Sequence, residues 1–71
     1  MLRIREVRRA KDITQVDFAH QVGVGQSAVS DWENGKTKPT LDSFIRAGEV
    51  LNCSLDYLAG LTDVNIVANA G

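Results

Sequence analysis

The chain is poor in most residues that would commit it to a chemistry. One cysteine in 71 residues cannot close an internal disulfide, which excludes a stapled scaffold. One histidine, His20, with no second histidine and no CxxC pair, leaves no set of metal ligands. No apolar run is long enough to span a bilayer and nothing resembles a secretory signal, so the expectation is a soluble, cytoplasmic chain with no membrane partner. Paired catalytic groups are lacking, and so is the length to enclose a cleft. An enzyme is rejected and no cofactor is expected. Aromatics make up only 6% of the chain, yet hydrophobic residues reach 44%, which suits a compact helical bundle and not a disordered tail. A chain of this size forms one domain and buries only about 60% of its unfolded surface, so its stability should be modest and helped by dimerisation.

Positive charge is not in excess either. The net charge is −1, but its distribution is uneven. Residues 1–11 carry five basic side chains and one acid, whereas residues 12–34 carry four acids and no lysine or arginine. Lys36 and Lys38 follow, and residues 40–71 set one arginine against four acids. Two local basic sites thus flank an acidic middle. Contact with phosphates needs only local charge, while a broad, sequence-independent nucleic-acid binder would be more basic.

What is present is centred on Thr14 to Gly35, TQVDFAHQVGVGQSAVSDWENG. Phe18 and Val22, then Val29 and Trp32, fall at helical spacing on either side of Gly23. Gly23 supplies a residue that takes positive φ without a Cβ clash. A helix over 15–22, a tight turn and a helix over 26–33 make a helix-turn-helix, in which the second helix commonly enters the DNA major groove. Thr14 is the expected cap of the first of these helices, with Asp17 near its positive end. Asn34-Gly35 is the expected stop of the second.

Around this centre the pattern predicts three further helices. Residues 2–11 form the first, with Ile4 and Val7 inward and arginines covering the outer side. After the basic loop Lys36 to Pro39, Thr40 caps a helix over 41–51 whose core face is Leu41, Phe44, Ile45 and Leu51, closed by Asn52. Ser54 caps a short fifth helix with Leu55 and Leu58 buried and Gly60 at its end. Cys53 is expected as a small buried thiol. Gly48, inside a helix at some cost relative to alanine, suggests close packing against a neighbour. Residues 1–61 are read as one domain and 62–71 as a tail, either a frayed terminus or an arm for dimerisation in which Val64, Ile66 and Val67 form a short strand. There are no repeats and no low-complexity segments.

The segment TQxxFAxxVGVGQSAVSxWENGKxKP, followed by TLDSFIRAGEVLNCSLDYL, resembles the phage-repressor/Cro-type (XRE-type) helix-turn-helix family over roughly residues 3–60. The resemblance implies an all-α, five-helix, lambda-repressor-like domain. It implies a transcriptional regulator that binds double-stranded DNA, a repressor on a pseudo-palindromic operator. Such a regulator would be a homodimer with recognition helices about 34 Å apart, the spacing established for phage repressors themselves. The competing reading is an antitoxin or other module that serves a small protein partner, motivated by the acidic patches and the apolar tail.

By the same resemblance, Gln26 and Ser27 open the recognition helix and read bases, Gln26 with the adenine-matching pair of donor and acceptor. Ala28 and Ser30 lie near the same groove, Ala28 within reach of a thymine methyl. Asp31 is ranked first as a solvated acid, ahead of a cytosine reader or a residue that weakens binding. Thr14, Gln15, Asn34, Lys36 and Lys38 are the expected phosphate contacts. Trp32 is expected in the core. Arg8 is expected to pair with Glu33 and lock the first helix to the end of the third, while Arg3, Arg5 and Arg9 are expected as solvated surface charge.

Overall fold

Hydroxyl side chains open three of the five helices into which the chain folds in the computed structural model, which describes residues 2–65. The helices are α1 (Ile4–Ala10), α2 (Gln15–Val22), α3 (Gln26–Glu33), α4 (Leu41–Leu51) and α5 (Leu55–Leu58). Thr14 Oγ1 accepts from the Asp17 amide at 3.1 Å, Thr40 Oγ1 from Ser43 at 3.2 Å and Ser54 Oγ from Tyr57 at 3.2 Å. Each bond satisfies an amide that has no partner inside its own helix.

The helices all stop the same way. One residue in the left-handed conformation follows each of them: Asp12, Gly23, Gly35, Asn52 and Gly60. The next amide then reaches back five residues, from Ile13 to Arg8, Val24 to Ala19, Lys36 to Asp31, Cys53 to Gly48 and Leu61 to Asp56. This is the Schellman arrangement, which satisfies carbonyls the helix leaves open. A short polar side chain tolerates this conformation better than most, so an aspartate fills the role usually given to glycine or asparagine.

Each helix sends one large, fully buried side chain to the centre of the core: Ile4, Phe18, Val29, Leu51 and Leu58. Val7, Ala19, Val22, Trp32, Ala47 and Cys53 complete it. The expected burial of Trp32 and of the Cys53 thiol is observed. Burial pushes the Cys53 thiol up from its ordinary pKa, with smaller opposing effects from Lys11 and Arg3.

Three expectations need correction. The first helix is shorter than residues 2–11, because Arg3 lies outside it and donates its amide to the Leu58 carbonyl. On α4, Leu41 is 71% exposed and Ile45 41% exposed, so neither belongs to the core face. The packed arc is Phe44, Ala47, Gly48 and Leu51, at helical offsets of 3, 4 and 7, and Leu41 and Ile45 fall to one side of it. Arg3 is not free surface charge: its Nη2 donates to Asp63 at 2.7 Å and its guanidinium lies 4.5 Å from the centre of the Tyr57 ring. Among the described residues no helix is long and apolar enough to cross a membrane. Ile66 and Val67, read as part of a strand or arm, lie outside the described residues.

Candidate nucleic-acid interface

Helix α3 buries Val29, Trp32 and Glu33 and turns its opposite side outward. Gln26, Ser30 and Asn34 follow one another at intervals of four, so they form a stripe along that outer side. Gln26, Ser27 and Asn34 are exposed and Ser30 is half-buried. Asp31 is half-buried at the edge of this face, and Ala28 packs partly against the core. Gly25 precedes the helix without a side chain to cap it, which leaves the first amides of α3 uncovered.

The stripe is held from behind by one buried carboxylate. The Glu33 side chain has no exposed surface, and it accepts from Arg8 Nε at 2.8 Å and Arg8 Nη2 at 3.1 Å. Arg8 also donates to the Ile13 carbonyl at 2.7 Å, so it ties α1 both to α3 and to the turn before α2. The expected Arg8–Glu33 pair is therefore present and buried. Two further donors reach Glu33: Gln15 Nε2 at 3.0 Å and Arg5 Nε at 3.3 Å. Burial alone would raise the Glu33 pKa. The hydrogen bonds from Arg8 and Gln15, with the charge of Arg8 and the bond from Arg5, outweigh burial and hold the carboxyl below its ordinary value.

This carboxylate orients two glutamines. An ionised carboxylate only accepts, so the Gln15 amide must present its nitrogen to Glu33 and its oxygen to the other side. That oxygen accepts from Gln26 Nε2 at 3.3 Å. Gln26 keeps its own Oε1 and its second N–H, the acceptor and donor that a bidentate contact to adenine uses. Gln15 keeps one N–H for a neighbouring oxygen. Thr14 uses one lone pair on the Asp17 amide and keeps its hydroxyl proton to donate.

At the far end of the stripe, Asn34 Nδ2 donates to Ser30 Oγ at 3.3 Å and Asn34 Oδ1 accepts from Arg5 Nη2 at 2.7 Å. The Asp31 carbonyl receives the Lys36 amide at 2.9 Å, which fixes how the basic loop leaves α3. Lys36 and Lys38 are exposed. The expected base-facing and phosphate-facing residues thus divide into an oriented group (Gln15, Gln26, Ser30, Asn34), an exposed group (Thr14, Ser27, Lys36, Lys38) and a partly packed pair (Ala28, Asp31).

Sequence reasoning missed the Glu33–Gln15–Gln26 relay and the place of Arg5. Its available signal was the charge layout, a basic first helix beside an acidic segment that lacks any lysine or arginine. That layout implies cross-helix pairing without saying which arginine reaches which acid.

A family model described as helix-turn-helix matches residues 4–58. The chain is 33% identical over 61 residues to an uncharacterized HTH-type transcriptional regulator, YobD, of Bacillus subtilis, covering 86% of this chain and 54% of that protein. It is 38% identical over 56 residues to repressor protein C2 of Salmonella phage P22, covering 79% of this chain and 26% of the repressor. The chain thus spans about half the length of the first relative and a quarter of the second. Among solved structures it is similar to the P22 c2 repressor in complex with a synthetic operator, with a TM-score of 0.76 and 38% identity, over 79% of this chain and 85% of that one.

Proposed function

Because the chain belongs to the helix-turn-helix family, we propose that it is a sequence-specific regulator of transcription that binds double-stranded DNA, a repressor acting on a pseudo-palindromic operator as a homodimer. The observation that carries this reading is the outward stripe Gln26, Ser30 and Asn34, whose polar groups are held by hydrogen bonds that begin at buried Glu33. A side chain held in place gives up less rotamer freedom on binding. The likeness to a repressor solved on its operator supports the same reading.

Gln26 and Ser27 supply sequence preference, with Ser30, Ala28 and Asp31 beside them. Thr14, Gln15, Asn34, Lys36 and Lys38 grip phosphates on either side. Residues 1–61 are the DNA-binding unit and 62–71 its tail. The function is one of binding, without a catalytic step, and it is exercised in the cytoplasm. Selection of binding sites from random duplexes tests it: a half-site containing an adenine should be enriched, and Gln26→Ala should relax the preference at that adenine by about 1–3 kcal/mol. If no motif is enriched at low salt, sequence-specific recognition is rejected.

An antitoxin-like role toward a small protein partner is the second reading, favoured by Leu61 and Val64, which are 78% and 58% exposed. Co-purification of a stoichiometric small protein with the tagged chain would support it over the first.

A further inference from the structure

We propose that Arg5, on α1 and outside the helix-turn-helix itself, is a phosphate-binding residue of the DNA interface; this rests on the DNA-binding reading above. The motif has a shortage that Arg5 makes good. Residues 12–34 carry four acids and no cation of their own, so a duplex approaching α3 meets no positive side chain from within the motif. Arg5 crosses from α1 and places Nη2 2.7 Å from Asn34 Oδ1, at the end of the outward stripe.

The local charge is not cancelled there. Arg8, whose side chain is 8% exposed, takes both Glu33 oxygens and closes a buried ion pair. Arg5 reaches the same carboxylate only through the longer 3.3 Å contact of its Nε, and 43% of its side chain remains exposed. Two guanidiniums share one carboxylate, which leaves one positive charge, and the exposed partner is Arg5. Glu6, the one acid on α1, accepts from the Tyr57 hydroxyl at 3.2 Å. Arg5 also lines an open depression with Arg3, Arg9, Glu6 and Glu33, where three arginines face two carboxylates.

Asn34 fixes the direction of this charge. Its amide is held at both ends, by Ser30 and by Arg5, so the guanidinium sits in line with Ser30 and Gln26. A planar guanidinium in that position can hold Asn34 with one edge and offer its remaining N–H groups to a phosphate oxygen.

The experiment measures affinity for a random-sequence 24-base-pair duplex, and for a selected operator duplex, across a salt series in wild type, Arg5→Gln and Arg5→Lys. Loss of one phosphate contact should reduce the slope of log K against log salt by about 0.9 and weaken both duplexes alike, on the order of tenfold at low salt. Arg5→Lys should keep most of the slope. An unchanged slope in Arg5→Gln overturns the assignment, as does a loss confined to the operator, which would mark Arg5 as a positioning residue for Asn34. The wild-type protein provides a readout independent of the variants' folding: the Arg5 Nε–H resonance should shift on adding the random duplex, and a static resonance overturns the assignment. A wild type that binds neither duplex overturns the DNA-binding reading itself.

Discussion

Glu33 shows how one buried acid is made tolerable and then useful. Its carboxylate is removed from water, which is costly, and three side chains from α1 and α2 compensate for that cost. Removing the main partner should be severe: Arg8→Ala strands the carboxylate and is expected to lower unfolding stability by about 3 kcal/mol, read from urea midpoints. The folded Glu33 carboxyl is more acidic than the unfolded one, so its stabilisation is complete above the ordinary value of 4.5 and is lost as pH falls through the lower folded value. Melting temperatures followed from about pH 6 to about pH 3 should therefore fall more steeply in wild type than in Glu33→Gln. The Arg8–Glu33 pair was legible in the sequence only through the family resemblance, because spacing alone cannot pick one of three arginines on a seven-residue helix. Arg3 and Arg5 were not legible. Their partners, Asp63 and Asn34, lie 60 and 29 positions away, and only the packed fold brings them near.

The helices themselves were far more readable than their contacts. α2, α3 and α4 begin and end where caps and stop residues place them, since Thr14, Gly23, Gly35, Thr40 and Asn52 act on backbone groups within a few residues. The inward face of α4 was not, because Leu41 and Ile45 are as apolar as the residues that pack, and only the packed fold shows which arc turns inward. Two glycines separate the two reasons for lacking a side chain. At Gly35 the φ is +76° and a Cβ would meet nothing within 4 Å, so Gly35→Ala should cost about 1–2 kcal/mol through backbone strain alone. Gly35→Asn should cost less, as the left-handed Asn52 illustrates. At Gly48 the helix is regular, but a Cβ would lie 2.6 Å from Leu55 Cδ2 and 3.2 Å from the Cys53 carbonyl. Alanine there gains about 1 kcal/mol of helix propensity against overpacking of about 1–3 kcal/mol. Gly48→Ala should therefore lower the denaturation midpoint, and a rise would mean that the α4–α5 turn shifts freely.

At the scale of the whole molecule, the interface is assembled from three helices, with α3 presenting it, α2 aligning Gln15 behind it and α1 supplying Arg5 and Arg8. In the proposed DNA complex an acidic chain offers the exposed cations Arg5, Lys36 and Lys38 around the end of α3, while Glu33 is paired inside the fold. For the proposed homodimer, sedimentation equilibrium with the selected operator should give two chains per duplex, and one chain per duplex would reduce the recognised site to a single half. The shared form of the helix ends also bears on how quickly the molecule finds its shape. Every stop is written within six residues, from Arg8–Ile13 through Asp56–Leu61, so the chain can reverse direction before distant helices meet. Loop closures are short, and the entropic search that slows sheet proteins is largely avoided. Temperature-jump relaxation should then show folding in about microseconds to milliseconds, so that a small core recloses quickly after it opens.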